Sequence, residues 1–414
     1  MNLFSPVKWK KAPLGDLAAG PGAFVDGPFG SNLKASEYTS EGVPIVRIQN
    51  VRPNHFNSAA QKFITLEKAD ELKRHGYKPG DLIITKMGDP PGDACIVPDH
   101  VGSGIIVADV VRFRGDKCLI DHKYLSFYLN SKAGISEFLR LTRGSTRKRV
   151  NLTSMKGIEV PLPPVEEQRR IAAILDKADA IRCKRAESLA LADELLKSAY
   201  IHMVGHRNPA YGDWKPETIE QLAEDKKGAI RSGPFGSALL HSEFVDEGIA
   251  VLGIDNAVQN HFAWGQRRFI TEEKYEELRR YQVFPGDVII TIMGTTGRSA
   301  VIPDDVPEAI TTKHLASITC DTSKILPEVL SFAIHSDPMI IRQIKQRNKG
   351  AIMDGLNLGI IRQLVLPRPP MELQVNFAEM LRRVSKKKRQ MSSELGNGTQ
   401  LFSSLSQRAF RGEL

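Results

Sequence analysis

The chain has 414 residues, which is more than one hydrophobic core usually organises, so its length predicts at least two domains. Hydrophobic residues make up 41% of the chain, which excludes a disordered protein, and the net charge of +9 modestly favours a polyanionic partner. The four cysteines have no CxxC or CxxH spacing, and no apolar run reaches the roughly 18 residues that span a bilayer. We therefore expect a soluble intracellular protein without a zinc site, a disulfide framework or a membrane span.

The first predicted elements follow a turn at residues 27 to 33, whose sequence is GPFGSNL. Its glycines favour a tight turn and its proline stiffens it, so we expect Phe29 to fill a core and Ser31 to cap the next segment. Beyond the turn, VPIVRI is predicted as a strand, TLEKADELKRHG as a helix capped by Thr65, and GDLIIT as a second strand. This part of the chain is therefore predicted to be a mixed α/β domain.

A long helix is predicted after this domain, because the run from the prolines of PLPPVEEQRR to Met203 contains neither Gly nor Pro. Its apolar residues recur with alternating spacings of three and four, which is typical of a helix that packs along a seam with another helix. The predicted seam contains Ile171, Ile174, Ala178, Ile181, Arg185, Ser188, Ala192, Leu195 and Ala199. A helix of this length needs a partner to cover its seam.

The second half of the chain repeats the first at an offset of 205 or 206 residues. GPFGSAL at 233 to 239 repeats the turn, and 248 to 262 matches 42 to 56. The segment 268 to 294 matches 62 to 88 without a gap. A repeat this long indicates two homologous domains, since the units of solenoid proteins have about 20 to 50 residues.

A second long helix is predicted after PRPPMELQ, where the same alternation continues almost to the end of the chain. Each of Gly396 and Gly398 costs a helix about 1 kcal/mol relative to Ala, so we expect a kink or a break there. Antiparallel packing of the two helices predicts one domain at each end, related by a pseudo-twofold axis. The predicted seam contains Leu381, Val384, Lys388, Met391, Leu395, Gly398, Phe402, Leu405 and Ala409.

Several motifs together resemble one protein family across nearly the whole chain, from Trp9 to Leu414. They are the two GPFGS turns, PGDLIIT and PGDVIIT followed by Met-Gly, PLPPVEEQRRIAAILDKAD and the C-terminal SQRAFRGEL. In these motifs the chain resembles the specificity subunit of a type I restriction-modification system. The resemblance implies an α/β (α+β) fold in which two homologous target recognition domains are separated by two long antiparallel coiled-coil helices.

The resemblance also implies where the domains begin and end and what each of them does. It implies a first target recognition domain at 1–164, a proximal spacer helix at 165–205, a second domain at 206–370 and a distal spacer helix at 371–414. In this family each domain reads one half of a split, asymmetric sequence in double-stranded DNA, and the chain recruits two methyltransferase subunits and two restriction subunits. We therefore expect a non-catalytic DNA-recognition subunit in the cytoplasm that holds no cofactor or metal.

Basic residues in both predicted domains are the candidate DNA contacts. Such residues bind phosphates, and arginine also matches the major-groove edge of guanine. For each of them a solvated charged surface is the alternative interpretation. The candidates are Arg143, Arg147, Lys148 and Arg149 in the first domain, and Lys313, His314, Lys345, Arg347 and Lys349 in the second.

The starts of the two long helices hold the candidate contacts with partner proteins. These are Glu166, Glu167 and Gln168 in PLPPVEEQRRI, and Gln374 in PRPPMELQVNF. The second start lacks one glutamate and both arginines of the first. We therefore expect the two helix starts to differ in their contacts.

Two other functions remain open from the sequence. MGDPPGD at 87–93 is similar to the Asp-Pro-Pro-aromatic loop with which amino-methyltransferases hold a flipped base, but Gly92 replaces the aromatic residue. No glycine-rich loop for S-adenosylmethionine precedes it, which disfavours an autonomous methyltransferase. A duplicated scaffold without DNA specificity would have the same helices but no salt-dependent affinity for DNA.

Overall fold

The structure is a computed structural model that describes residues 9–142, 148–258, 261–347 and 355–414. The chain forms two compact units: unit 1 contains Met1–Ala186 and Ser393–Leu414, and unit 2 contains Glu187–Ser392. Both boundaries between the units fall inside long helices. The division into four successive segments at 164, 205 and 370 stays a prediction.

Two four-stranded sheets, one mixed and one antiparallel, form the centre of unit 1. Their strand orders are β6-β3-β10-β7 and β2-β11-β8-β9, and only β3 and β10 pair in parallel within these sheets. Two short pairs, β1 with β12 and β4 with β5, complete the described strands. The strands are β1 (Lys11–Pro13), β2 (Phe24–Asp26), β3 (Val43–Val46), β4 (Val51–Arg52), β5 (His55–Phe56), β6 (Lys62–Ile64), β7 (Gly76–Tyr77), β8 (Leu82–Thr85), β9 (Ala94–Ile96), β10 (Gly104–Ile106), β11 (Val110–Phe113) and β12 (Glu159–Pro161).

The helices of unit 1 begin at side-chain caps that the sequence provides. The Thr65 hydroxyl accepts a hydrogen bond from the Lys68 amide, so the predicted threonine cap is confirmed. Asp121, Ser131 and Asn151 cap the next three helices in the same way. The helices are α1 (Leu66–Glu71), α2 (His122–Leu129), α3 (Lys132–Leu141), α4 (Leu152–Lys156) and α5 (Val165–Met203), of which α5 continues into unit 2.

Unit 2 repeats the strand order of unit 1. Its two larger sheets have the orders β18-β15-β22-β19 and β14-β23-β20-β21, and β15 and β22 again pair in parallel. The repeat found in the sequence is thus a repeat of topology. The strands are β13 (Pro216–Thr218), β14 (Ile230–Ser232), β15 (Ile249–Leu252), β16 (Ala257–Val258), β17 (His261–Phe262), β18 (Phe269–Ile270), β19 (Gln282–Val283), β20 (Val288–Thr291), β21 (Ser299–Val301), β22 (Ala309–Thr311), β23 (Leu315–Ile318) and β24 (Val365–Pro367).

The helices of unit 2 also follow those of unit 1. Thr271 caps the helix that corresponds to α1 by accepting a hydrogen bond from the Lys274 amide. The last helix is the second long one, and its C-terminal part belongs to unit 1. The helices are α6 (Ile219–Leu222), α7 (Glu272–Leu278), α8 (Pro327–Ser336), α9 (Pro338–Arg347), α10 (Leu358–Arg362) and α11 (Met371–Arg411).

Within unit 1 the start of α5 packs antiparallel against the end of α11. The Arg170 guanidinium donates to the Leu414 carbonyl at 2.9 Å, whereas Arg185, further along α5, donates to the earlier Glu394 carbonyl at 2.8 Å. The Phe410 ring of α11 enters the core, where its centroid lies 5.5 Å from that of Tyr124. The two helix ends therefore belong to the core of this unit.

Within unit 2 the other halves of the same helices also pack antiparallel. Asp193 pairs with Lys388, whereas Tyr200, later in α5, contacts the earlier Phe377 of α11 at 5.6 Å between ring centroids. Tyr200 is fully buried, and its hydroxyl donates to Asp337 at 3.2 Å. The predicted antiparallel pairing is therefore present in each unit.

The seam predicted for α5 is wrong by one residue over part of its length. Ile181 and Leu195 are 53% and 51% exposed, whereas Leu175 and Leu196 are buried. The pattern misled because Arg182 occupies a seam position: its guanidinium carbon lies 5.6 Å from the Phe402 ring centroid. On α11, by contrast, every predicted seam position is buried or half-buried.

The break predicted at Gly396 and Gly398 is also wrong, because α11 continues through both glycines. Packing on either side, at Leu395 and Phe402, outweighs the weak helix propensity of glycine. A Cβ atom on Gly398 would lie 3.3 Å from the Arg185 guanidinium, so glycine leaves room for the arginine that binds the Glu394 carbonyl.

Candidate functional site

The GPFGS turn of unit 1 follows β2 and packs its backbone directly on a neighbouring segment. A Cβ atom on Gly27 would lie 1.9 Å from the Val107 carbonyl oxygen, so only glycine fits this approach. The Gly27 amide donates to the Val110 carbonyl at 3.1 Å, and the Asn32 amide donates to the Phe29 carbonyl at 2.8 Å. The turn is therefore fixed by backbone contacts.

Two expectations about this turn are wrong. Phe29 does not fill a core but is 80% exposed, and its counterpart Phe235 is 54% exposed. The close backbone approach at Gly27 fixes the start of the turn, and the Phe29 ring stands outside the core. The Ser31 hydroxyl contacts the Asn32 side chain at 3.4 Å, while the next helical turn begins after Lys34 without a side-chain cap from Ser31.

Charged side chains gather beside the turn of unit 1. Lys86 pairs with Asp26, the last residue before the turn, at 3.2 Å. Arg149 pairs with Asp109 at 2.6 Å, and the Lys86 amide donates to the Asp109 carbonyl at 2.8 Å. Lys148 pairs with Asp89 at 2.8 Å. The structure therefore brings two predicted DNA contacts, Lys148 and Arg149, to the edge of the domain that carries the turn.

The corresponding edge of unit 2 has the same backbone plan. A Cβ atom on Gly233 would lie 2.3 Å from the Thr311 carbonyl oxygen, and the predicted contacts Lys313 and His314 follow two residues later. The Ile292 amide donates to the His314 carbonyl at 2.9 Å. The structure thus places Lys313 and His314 next to the second GPFGS turn.

The remaining basic candidates have different positions. Lys345 and Arg347 are exposed in the last turn of α9, and Arg347 donates to the Ile360 carbonyl at 3.3 Å. Neither is linked to the GPFGS turn by a described contact. Arg143, Arg147 and Lys349 lie outside the described residues.

A cavity of about 330 Å³ opens beside the second turn. Its lining includes Pro234 of the turn, Lys313, His314 and an ion pair in which Arg268 contacts Asp255 at 3.0 Å. Burial and the nearby Lys313 lower the pKa of His314, so this imidazole is neutral at pH 7 and can both donate and accept a hydrogen bond.

In unit 1, different side chains occupy the region that corresponds to this cavity. Arg47 stands where unit 2 has Gly253, and its guanidinium carbon lies 5.8 Å from the Tyr38 ring centroid. Arg47 also donates to the Ala60 carbonyl. Burial raises the pKa of Tyr38, so its hydroxyl stays protonated. The two edges therefore share a backbone and differ in their side chains.

The glutamates at the start of α5 are accessible. Glu166 is 85% exposed at its side chain and pairs with Arg169 at 2.7 Å. Glu167 is 25% exposed and pairs with Arg170 at 2.8 Å, and this hydrogen bond lowers the pKa of Glu167. Both carboxylates lie on the first turn, where they interact favourably with the helix dipole.

The two glutamines predicted as partner contacts make hydrogen bonds inside their own units. Gln168 is fully buried and binds the Asp121 amide and the Leu119 and Pro163 carbonyls at 2.8–2.9 Å. Gln374 is also fully buried, and it binds the Leu326 amide and the Lys324 and Pro369 carbonyls in the same way. Each glutamine ties a long helix to its domain, and a partner could reach it only by breaking these bonds.

The loop that is similar to a methyltransferase motif cannot hold the aromatic residue which that motif needs. Gly92 has a φ of +105°, and a Cβ atom there would lie 2.3 Å from the Phe138 ring. Among the described residues, no group of three or more His, Cys, Asp or Glu side chains could hold a metal ion. The described helices include none that is long and apolar enough to cross a membrane.

The sequence did not identify Lys86 and Asp109 as parts of the edge. Both act through contacts between distant segments, Lys86 with Asp26 and Asp109 with Arg149, so no local motif marks them. One signal was available: at the repeat offset of 205 residues, Asp109 corresponds to His314. A difference beside an otherwise repeated turn is the kind of position that can distinguish the tasks of two copies.

Comparison with known proteins gives consistent similarities. Residues 6–191 match the family model of the type I restriction modification DNA specificity domain. The chain is 22% identical to the type I restriction enzyme EcoBI specificity subunit of Escherichia coli, over 93% of this chain and 83% of that protein. It is also 22% identical to the type I restriction enzyme MjaVIII specificity subunit of Methanocaldococcus jannaschii, over 78% of this chain and 76% of that protein.

A solved structure has the same fold. The crystal structure of the type I restriction-modification system S subunit from M. genitalium matches with a TM-score of 0.60 and 15% identity, covering 99% of this chain and 98% of that one. At this identity the likeness concerns the fold alone. The predicted fold, with two mixed domains and long connecting helices, is thereby confirmed.

Proposed function

We propose that the chain is a specificity subunit of a type I restriction-modification system and that it binds a split, asymmetric sequence in double-stranded DNA. Each target recognition domain reads one half of the sequence, and the chain directs two methyltransferase and two restriction subunits to it. The observation that carries this proposal is the pair of domain edges: one backbone plan occurs twice, with different side chains around it. A protein that reads two unlike half-sites needs this combination.

Affinity for DNA comes from cations on these edges. Lys148 and Arg149 have side chains that are 39% and 58% exposed, and Lys313 is exposed on the matching edge of unit 2. The ion pairs of Lys148 and Arg149 are exposed ones, each worth about 1 kcal/mol or less, so a phosphate can replace the carboxylate at little cost. Such contacts position the duplex without reading its sequence.

Sequence choice comes from the side chains that differ between the edges. Asp109 offers a carboxylate, which accepts hydrogen bonds from groups such as the cytosine N4 amine. His314 at the corresponding position offers a neutral imidazole, and it lies beside the cavity that contains Arg268 and Asp255. We assign these matched positions to the discrimination between the two half-sites.

The chain contributes recognition and leaves the chemistry to its partners. The geometry at Gly92 supports this, because an aromatic residue cannot stack on a flipped base there. Glu166 and Glu167 are the accessible groups at the start of α5 that a partner subunit can contact. Because its proposed target is double-stranded DNA, we place this function in the cytoplasm.

The test is to express the chain with a methyltransferase subunit of its own system and to map modified bases across a genome. A split, asymmetric motif is expected. Exchanging residues 206–370 for the matching segment of a relative should change one half of that motif and leave the other half unchanged. A continuous motif, or a change in both halves, would contradict the proposal.

A DNA titration at two salt concentrations distinguishes a DNA-reading subunit from a scaffold. The complex should bind the mapped duplex with an affinity that falls as salt rises, because each phosphate contact releases counterions. Arg149→Gln should weaken binding and reduce that salt dependence by about one phosphate contact. Arg279→Gln, at an exposed arginine of unit 2 that pairs with Glu276, is the control and should leave both quantities unchanged. Affinity for DNA that does not respond to salt would favour the scaffold.

A further inference from the structure

We propose that Phe29 and Phe235, the phenylalanines of the two GPFGS turns, are apolar wedges that pack against base faces in the bound duplex. This inference rests on the proposed function and assigns to the two turns a contact that charge alone cannot make. Phenylalanine side chains inserted between base pairs are a known means by which proteins unstack and bend DNA.

The exposure of these rings is the first observation. Among the described residues, Phe29 is the most exposed large apolar side chain, at 80%, and Phe235 is 54% exposed. Burial of an apolar ring is favourable, so each turn leaves part of this stabilisation unused in the free protein. A ligand that covers the ring recovers it.

The support beneath the rings is the second observation. Gly27 and Gly233 press the turns onto the segments at Val107 and Thr311, at distances that exclude any side chain. A proline follows each of these glycines and restricts the backbone further. A ring held on a stiff turn loses little conformational entropy on binding, which is what an effective anchor requires.

The charges around the rings indicate the class of ligand. Lys148 and Arg149 lie on the edge that carries Phe29, and Lys313 lies on the edge that carries Phe235. Cations on the same edge as an exposed aromatic ring suit a ligand with a negative backbone and flat apolar faces inside it. A nucleic acid duplex has both features, and phosphate contacts beside the ring would guide it to a base step.

The comparison of the two copies explains why the phenylalanine is the common element. Contacts to base faces tolerate any sequence, because every base has a flat π face. The same residue can therefore serve two half-sites of different sequence. Its neighbours differ: Asp109 corresponds to His314, and Lys86 corresponds to Ile292. The turn supplies a contact independent of sequence, and the surrounding side chains supply the choice of sequence.

The first test measures affinity for the duplex that carries the mapped target site, with the full chain bound to its methyltransferase partner. Phe29→Ala and Phe235→Ala should each raise the Kd by about tenfold. The salt dependence should stay unchanged, because no charge is removed. Phe29→Leu should lie between the parent and Phe29→Ala. Leu119→Ala, another exposed apolar position in unit 1, is the control and should bind like the parent.

The second test detects unstacking directly. 2-Aminopurine is placed at successive positions of each half-site, and its fluorescence should rise at one step when the parent complex binds. That rise should disappear with Phe29→Ala in one half-site and with Phe235→Ala in the other. Because both rings are largely exposed, the thermal midpoints of the variants should stay close to that of the parent.

The outcomes separate this inference from the proposed function. If the parent binds DNA with the expected salt dependence but Phe29→Ala and Phe235→Ala bind equally well, the wedge assignment is overturned and the proposed function stands. If the parent shows no salt-dependent binding, the proposed function itself fails. A loss of methyltransferase binding in Phe29→Ala, without any loss of DNA affinity, would assign the ring to a protein contact and also overturn the inference.

Discussion

The two units place a largely buried guanidinium at the same point of the fold but take it from different strands. In unit 1, β11 and β2 pair Arg112 with Val25, whereas in unit 2 the corresponding pair is Ser317 with Arg231. The arginine has thus changed strands between two copies of one domain. Both units have a guanidinium at this point, although a different strand supplies it in each.

The contacts of the two arginines confirm that they are equivalent. Arg112 donates to the Gly76 and Gly22 carbonyls. Arg231 donates to the carbonyls of Gln282 and Gly228, the residues at the corresponding positions of the repeat, at 2.9 and 3.0 Å. In both units one guanidinium therefore joins the same two backbone segments.

Each unit also has a buried aspartate near this arginine, and the two units supply its hydrogen-bond donors differently. In unit 1, Asp81 receives two hydrogen bonds from Arg114, at 2.7 and 2.8 Å. In unit 2, Asp287 is bound by Arg231 itself and by the Thr319 hydroxyl, which occupies the place of Arg114. In unit 1 two arginines thus make the hydrogen bonds to the carbonyls and the aspartate that one arginine and one threonine make in unit 2.

Removing Arg231 should have the largest effect, because this residue serves both the carbonyls and the aspartate. Arg231→Ala leaves Asp287, which is 1% exposed, with a buried charge that lacks its main partner, and should lower the free energy of unfolding of unit 2 by about 3–5 kcal/mol. Urea denaturation checks this value. Arg267→Ala, at an exposed position of the same unit, is the control and should change it by less than about 1 kcal/mol. Equal stability of Arg231→Ala and the parent would show that the cation is not needed.

Rebuilding the arrangement of unit 2 inside unit 1 should have a smaller effect of opposite sign. The double variant Arg112→Ser with Arg114→Thr removes both cations. Adding Val25→Arg places a guanidinium where unit 2 has Arg231, and should recover about 2 kcal/mol relative to the double variant. Denaturation of the two variants under identical conditions measures the recovery. If the triple variant is no more stable than the double one, the two strands are not interchangeable.

Much of the fold could be predicted because it depends on local patterns. The Thr65 and Thr271 caps and the strands β3, β8, β15 and β20 follow from short motifs, and the duplication follows from the repeat. The seam of α5 was misplaced because a pattern of apolar residues cannot reveal that Arg182 packs its guanidinium on Phe402. The break expected in α11 is absent because packing around Gly398 outweighs the weak helix propensity of glycine.

The candidate site was less accessible to sequence analysis. Basic residues could be named from composition, but their position relative to the GPFGS turns depends on segments far apart in the chain, such as Asp109 and Arg149. The exposure of Phe29 belongs to a turn that is fixed by the contact of Gly27 with Val107, and these segments lie far apart in the chain. An apolar residue in a turn normally predicts a core position, and here the fold reverses that expectation.

The smallest expected effect is a difference between the units in their response to acid. His335 of unit 2 corresponds to Asn130 of unit 1. Burial, together with the positive charges of Arg298 and Lys197, lowers the pKa of His335 in the folded state. The unfolded chain therefore binds a proton more readily, and its histidine has a pKa near 6.5. The stability that the neutral imidazole contributes is complete above about pH 6.5 and declines as the pH falls toward the folded-state pKa.

Unit 2 should consequently lose more stability than unit 1 on acidification from pH 7.5 to pH 5.5. Replacing His335 with Asn, as in unit 1, removes the titrating group and should reduce the fall in thermal midpoint of unit 2 over this range. His314, whose pKa is also lowered by burial, is a second contributor, so the variant should retain part of the decline. Scanning calorimetry of the parent and His335→Asn at both pH values measures the difference. An identical fall in both proteins would mean that protonation of His335 does not destabilise the fold, and that the exchange of asparagine for histidine between the units has no electrostatic consequence.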